Sequence, residues 1–168
     1  EHVRKMITEY AQMLSTAHRV IDGVKNKKKK KNGRKIKHWT HPHRENELYL
    51  ATHVNHPSNI WVRTTYHNYL WMYACYSTLL SMFEKSTGKR HESAKLKDIL
   101  LYPPVKIKSA NLTVPPRCIK DEYLLQQTEP DTFADVITNY RHFYNKSKSR
   151  FATFGKYNNP VPHWYTGE

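Results

Sequence analysis

Apolar residues recur at helical spacing at the start of the chain. Val3, Met6, Ile7, Tyr10, Met13, Leu14, Ala17 and Ile21 fall at i, i+3, i+4 and i+7. That stripe predicts a helix over Glu1 to Asp22, stopped by Gly23. The opposite face carries His2, Lys5, Glu9, Gln12 and Thr16, again at helical intervals. The period then vanishes. Residues 23–52 are polar, hold the Lys27–Lys31 run and Asn32-Gly33, and read as a long, basic, mobile connection. A connection of that length is functional or disordered more often than passive.

Helical spacing returns after Asn55-His56-Pro57. A short turn through Ile60-Trp61 precedes a restart near Thr64 or Thr65. Tyr69, Met72, Tyr73, Tyr76, Leu79, Leu80 and Phe83 then mark the core face of a second helix, which Gly88 ends. A third helix, Ser93 to Leu101, is stopped by Pro103-Pro104. Residues 102–127 read as loop with one helical turn. Thr128-Glu129-Pro130-Asp131 announces a fourth helix, with a capping hydroxyl, an early proline and acids in the first turn. Its apolar face is Phe133, Val136, Ile137, Tyr140 and Tyr144, and the tail from Gly155 has no regular period. No internal repeat and no convincing strand pair is visible. The expected fold is mainly α: a compact single-domain helical bundle over residues 1–168, with a long basic loop and an irregular C-terminal tail.

Charge sharpens this picture once it is located. The 168 residues carry a net charge of +14. Residues 25–37 hold eight lysines and Arg34 without an acid, and residues 138–165 hold Arg141, Lys146, Lys148, Arg150 and Lys156 without an acid. The rest of the chain is neutral. Two basic stretches on a neutral body are the footprint of a polyanion binder, whether the anion is RNA, DNA or a lipid surface. No stretch approaches the roughly 20 apolar residues of a membrane span, and there is no secretory apolar region, so membrane insertion and export are not expected. Cys75 and Cys118 have no metal-binding spacing, which argues for a reduced setting rather than a disulfide scaffold.

Several side chains are candidates for chemistry. Glu9, one turn from Lys5 and close to Gln12, has the surroundings of a general acid/base or of a group that stabilises a cationic imine; the plainer alternative is an exposed Lys5/Glu9 pair. His38, His41, His43, His53 and His56 lack zinc spacing, so neither a metal nor any other cofactor is expected. Asn55-His56-Pro57 suits a helix cap, while His56 and Arg63 also suit phosphate contact. Lys27, Lys28, Lys29, Lys30, Lys31, Arg34, Arg141 and Lys146 complete the candidate contacts to nucleic acid. Tyr66, Tyr69, Trp71 and Tyr73 bunch together; most belong to a core and one or two could stack on a base. No Gly-rich phosphate loop, G-x-S-x-G, H-E-x-x-H or paired D-x-D motif occurs.

The run from His2-Val3-Arg4-Lys5-Met6-Ile7-Thr8-Glu9 to Ala17-His18-Arg19 resembles the opening helix of a family of small tailed-phage proteins. Asn55-His56-Pro57, Trp61-Val62-Arg63, Asn68-Tyr69, Gly88-Lys89-x-His91 and Asn139-Tyr140-Arg141-x-Phe143-Tyr144-x-Lys146 continue the likeness. More distantly, the layout is similar to the pyrimidine-dimer DNA glycosylases of the endonuclease V type from T-even phages. The resemblance implies a helical protein that kinks duplex DNA, displaces a base and excises a photoproduct. It implies that His2 and, seven residues on, the catalytic Glu9 share a face. It further implies an N-terminal α-amine as nucleophile, attacking the sugar C1′ to form an imine, with the glutamate assisting strand cleavage. Two departures stand out. Glu1 lies only eight residues before Glu9, whereas the family's chemistry expects a longer lead, and Thr8 occupies a position that is often basic. The resulting expectation is a phage DNA-repair glycosylase with abasic-site lyase activity, acting on duplex DNA in the host cytoplasm. The alternative is a non-enzymatic, basic nucleic-acid-binding or virion-associated protein that kept the fold and contacts other phage proteins.

Overall fold

A computed structural model of the chain describes residues 2–29, 35–125, 132–154 and 160–167, with the side chains of residues 28, 29 and 35–37 left aside. The fold is mainly α. Two compact units are distinguished, Glu1–Thr113 and Val114–Glu168.

In the first unit, helix α1 (His2–Ile21) packs against α3 (Tyr66–Thr87). Ile7, Ala11, Leu14 and Ala17 of α1 are buried with Tyr69, Met72, Tyr76 and Leu80 of α3. Trp61 and Val62 from the short helix α2 (Pro57–Val62) close the same core. Burying each large apolar side chain contributes about 1.5–3 kcal/mol. Thr65 caps α3, its Oγ1 accepting from the Asn68 amide at 3.1 Å. Gly88, at φ 66°, ends the helix in the left-handed conformation that glycine alone adopts without strain.

The expected third helix is split. A 3₁₀ turn (Glu92–Leu96) runs into the single turn α4 (Lys97–Leu100). Tyr76, Tyr73 and Tyr69 of α3 donate their hydroxyls to the carbonyls of Ser93, Lys97 and Leu100, which docks both turns on α3. Carbonyls at the end of so short a helix have no intrahelical donor, and Pro104 supplies none to Leu100.

The basic connection is also not what its composition predicts. Val24–Lys29 (β1) pairs antiparallel with Lys35–Thr40 (β2), from Val24 opposite Thr40 to Lys29 opposite Lys35. Lysine-rich segments have little strand propensity of their own, so the root of the hairpin is set by tertiary contact. Gly23 is required at that root. A Cβ there would lie 2.2 Å from the Arg19 carbonyl oxygen and 2.6 Å from that of Thr40.

Arg19 is the larger constraint. Its side chain is fully buried, yet every donor is used. Nε bonds the Tyr49 carbonyl at 2.7 Å. Nη1 reaches the Trp39 carbonyl at 2.9 Å and Glu45 Oε2 at 2.5 Å. Nη2 takes the carbonyls of Glu45 at 2.7 Å and Leu48 at 3.0 Å. One guanidinium therefore ties α1 to β2 and to the turn through residues 42–47. Thr16, expected on the polar face of α1, is buried here as well, its hydroxyl 3.2 Å from the Thr52 amide nitrogen.

The second unit centres on α5 (Phe133–Phe143), capped by Thr132 in a reciprocal capping box with Asp135. The predicted cap at Thr128-Glu129-Pro130-Asp131 lies outside the described residues. A π turn (Tyr144–Lys148) and a 3₁₀ turn (Ser149–Phe151) extend the helix. Asn139 Oδ1 accepts from the Leu125 amide at 2.8 Å, and the Tyr140 hydroxyl accepts from that of Cys118 at 3.2 Å.

Arg19→Ala is expected to destabilise the first unit by about 3–5 kcal/mol, because it strands a carboxylate and four carbonyls together. Urea denaturation of the two proteins measures this, and a loss under 1 kcal/mol would contradict the role given to Arg19.

Candidate functional site

On α1, His2 and Lys5 are exposed, and Glu9 and Gln12 are half-buried. Lys5 Nζ lies 3.6 Å from Glu9 Oε1, with both side chains largely in solvent. The four residues share one helical face, but this face forms an exposed ion pair rather than an enclosed cleft. An open groove between α1 and α3 is lined by Tyr10, Trp71, Ala74, Cys75, Thr78 and Leu79, and contains Trp71 of the clustered aromatics but none of the α1 candidates.

Lys27 is exposed on β1. Lys28 and Lys29 follow in the same strand, while Lys30, Lys31 and Arg34 lie outside the described residues. The register places Lys27 opposite Lys37 and Lys29 opposite Lys35, and the strand period puts these positions on the same ribbon face as Lys25 and Trp39. Lys25 Nζ sits 5.6 Å from the centre of the Trp39 ring. The register thus sets lysine positions opposite one another across the ribbon.

His56 caps α2, its Nδ1 accepting from the Ser58 amide at 3.3 Å. Arg63 follows the last turn of α2. Its Nη1 is buried without a hydrogen-bond partner among the described residues, and burial alone lowers the pKa of the group. Asn68 is structural: buried, it donates to the Trp61 carbonyl and Thr113 Oγ1 and accepts from the Thr113 amide, each at 2.9 Å. Of the clustered aromatics, Tyr69 is core, while Tyr66 and Trp71 are exposed. In the second unit Arg141 and Lys146 are exposed, and the Arg141 guanidinium stands 5.7 Å over the Trp164 ring.

No protein-family model, curated protein or solved structure matches the chain. Its own residues therefore carry the functional reading. No helix among the described residues is long and apolar enough to cross a membrane.

The structure also assembles a polar cluster that the histidine spacing did not suggest. His18, Asp22 and His41 bring ligand atoms within 4.8 Å of one another. His18 on α1 and Asp22 just past its end stand one turn apart, and that i, i+4 pair was the available signal. His41 joins only because the hairpin folds back. His18 is buried; burial first, then the charge of Arg44, holds it down at about 4, against the opposing pull of Asp22 and the Tyr102 backbone. Burial likewise lowers His41. Asp22 accepts the Val105 and Lys106 amides at 2.7 and 3.0 Å.

A histidine held neutral in the fold but free to protonate when unfolded favours the unfolded state as pH falls from 6.5 to about 4. In chelator-treated buffer the chain is expected to lose roughly 3 kcal/mol over that window from this group. His18→Gln should flatten that part of the stability–pH curve, measured by urea midpoints at successive pH values.

Proposed function

We propose that this chain binds duplex DNA through its basic ribbon. The observation that carries the reading is the register that places lysine opposite lysine on one face. A two-stranded ribbon fits the major groove, where phosphates lie on either side. Such binding is backbone-directed and largely indifferent to sequence.

Binding to an undamaged duplex should weaken with salt, with log K falling by about 0.9 per phosphate neutralised for each unit of log salt concentration. Replacing Lys25 and Lys27 together by alanine is expected to reduce that slope by about 2. Fluorescence anisotropy over a salt series measures both. Salt-insensitive binding, or a slope unchanged in the double variant, overturns the proposal.

A second reading is a DNA-repair glycosylase with abasic-site lyase activity. It is favoured by His2, Lys5, Glu9 and Gln12 sharing one face of α1, with an ammonium 3.6 Å from the carboxylate. Here an N-terminal α-amine attacks the sugar C1′, the base or, at an abasic site, water leaves as the imine forms, and Glu9 takes the C2′ proton as the 3′ phosphate is expelled. Borohydride should trap a covalent adduct between the protein and an abasic duplex, and Glu9→Gln should reduce strand cleavage at least tenfold. Absence of an adduct, with Glu9→Gln equal to wild type, removes this reading while leaving the binding proposal standing.

A further inference from the structure

At the root of the ribbon, away from the lysines, the end of α1 meets the turn after β2. We infer that His18, Asp22 and His41 form a binding site for a divalent first-row transition metal, of the zinc or cobalt type, that staples the end of α1 to the base of the hairpin.

Two imidazoles and one carboxylate are a common ligand set for such ions, with a further position left for water. Their atoms lie within 4.8 Å of one another, against roughly 3.4 Å around a bound tetrahedral zinc with bonds near 2.1 Å. The widest separation must therefore contract by up to about 1.4 Å. Its parts are held from behind, as metal ligands usually are. The Tyr69 hydroxyl lies 2.9 Å from both His18 Nε2 and the Leu100 carbonyl. Donating to the carbonyl, it accepts from His18 Nε2–H; Nδ1 is then the ligand atom, and the ring's bond with the Tyr102 backbone is what ligation gives up. Asp22 is fixed by two backbone amides, one on each oxygen, and each oxygen retains a lone pair.

His41 sets the affinity. Its Nδ1 accepts the amides of His43 and Arg44 at 3.3 and 3.1 Å, so the neutral ring carries its proton on Nε2. Ligation through Nε2 moves that proton to Nδ1 and gives up two long hydrogen bonds. Charge points the same way. Arg44 faces both histidines and balances Asp22, while the charge of Arg19 is answered by Glu45. The partial negative charge at the end of α1 favours the cation. The site is consequently weaker than a four-ligand structural zinc, and its occupancy follows metal supply. The inference is independent of DNA binding.

The test is titration of the chelator-stripped chain with Co²⁺, read by visible absorption, and competition by Zn²⁺. Saturation at one equivalent is expected, with thermal stabilisation by Zn²⁺. Long-range proton–nitrogen spectra of the unmodified chain identify the ligands without any substitution. Of eleven histidines, His18 and His41 should show metal-shifted ring nitrogens. Asp22→Asn should weaken Co²⁺ binding at least tenfold with an unchanged far-ultraviolet circular dichroism spectrum. Absence of a saturable Co²⁺ band overturns the inference. So does metal shifting only other histidines, such as His43, His53, His56 or His67, or wild-type affinity in Asp22→Asn. If that variant fails to fold, the spectra of the unmodified chain decide.

Discussion

One guanidinium organises the first unit. Arg19 is enclosed by protein, and an enclosed cation is tolerated only when its charge is answered and its donors are filled. Glu45 answers the charge, and carbonyls from Trp39, Glu45, Leu48 and Tyr49 take the remaining donors. The Glu45 carboxyl is held below its usual range, first by the His41 amide and, against some desolvation, by Arg19. As a result the chain from β2 to Tyr49 is bound to the last turns of α1 by polar contacts in addition to Leu48, which joins the apolar core. This explains why α1 is buried nearly all round from Leu14 to Arg19, although its pattern is that of a one-faced helix.

That anchorage explains how a lysine-rich ribbon persists. Lysines have little strand propensity, and an isolated hairpin is marginal in water. Here the root is set by Gly23 against Thr40 and by Arg19 against Trp39, so the ribbon is fixed at its base. The same root brings His41 to His18 and Asp22. A strongly cationic ribbon and a buried histidine cluster thus depend on one set of contacts. The second unit contributes its own basic face, where Arg141, Lys148 and Arg150 lie over aromatic rings. Rings covered in this way keep cations at the surface at little conformational cost.

Where apolar periodicity was strong, the chain was legible. The α1 stripe, the restart at Thr65, the core face of α3 and its end at Gly88 all follow from residue pattern and backbone chemistry. The exposed Lys5/Glu9 pair is equally local, since residues four apart on a helix must be neighbours. The hairpin was not legible, because lysines give neither strand propensity nor alternation, and its root is anchored by pairs as distant as Gly23 and Thr40 or Arg19 and Trp39. The docking of the third helical segment was hidden for a similar reason: its carbonyls are bonded by tyrosines of α3 that are distant in sequence. His18 lay inside a recognisable helix, yet nothing local announced that His41 would reach it.

The sequence by itself determined a mainly α chain, the positions of its principal helices and the place of its excess charge. These depend on periodicity, caps and composition, which act over a few residues. Tertiary structure alone decided that the basic stretch is a ribbon, that Arg19 is a buried clamp and that His18, Asp22 and His41 converge. Each of these rests on satisfying polar groups across long separations, and a buried donor or carboxylate is indifferent to where in the chain its partner lies. Only the folded geometry names that partner.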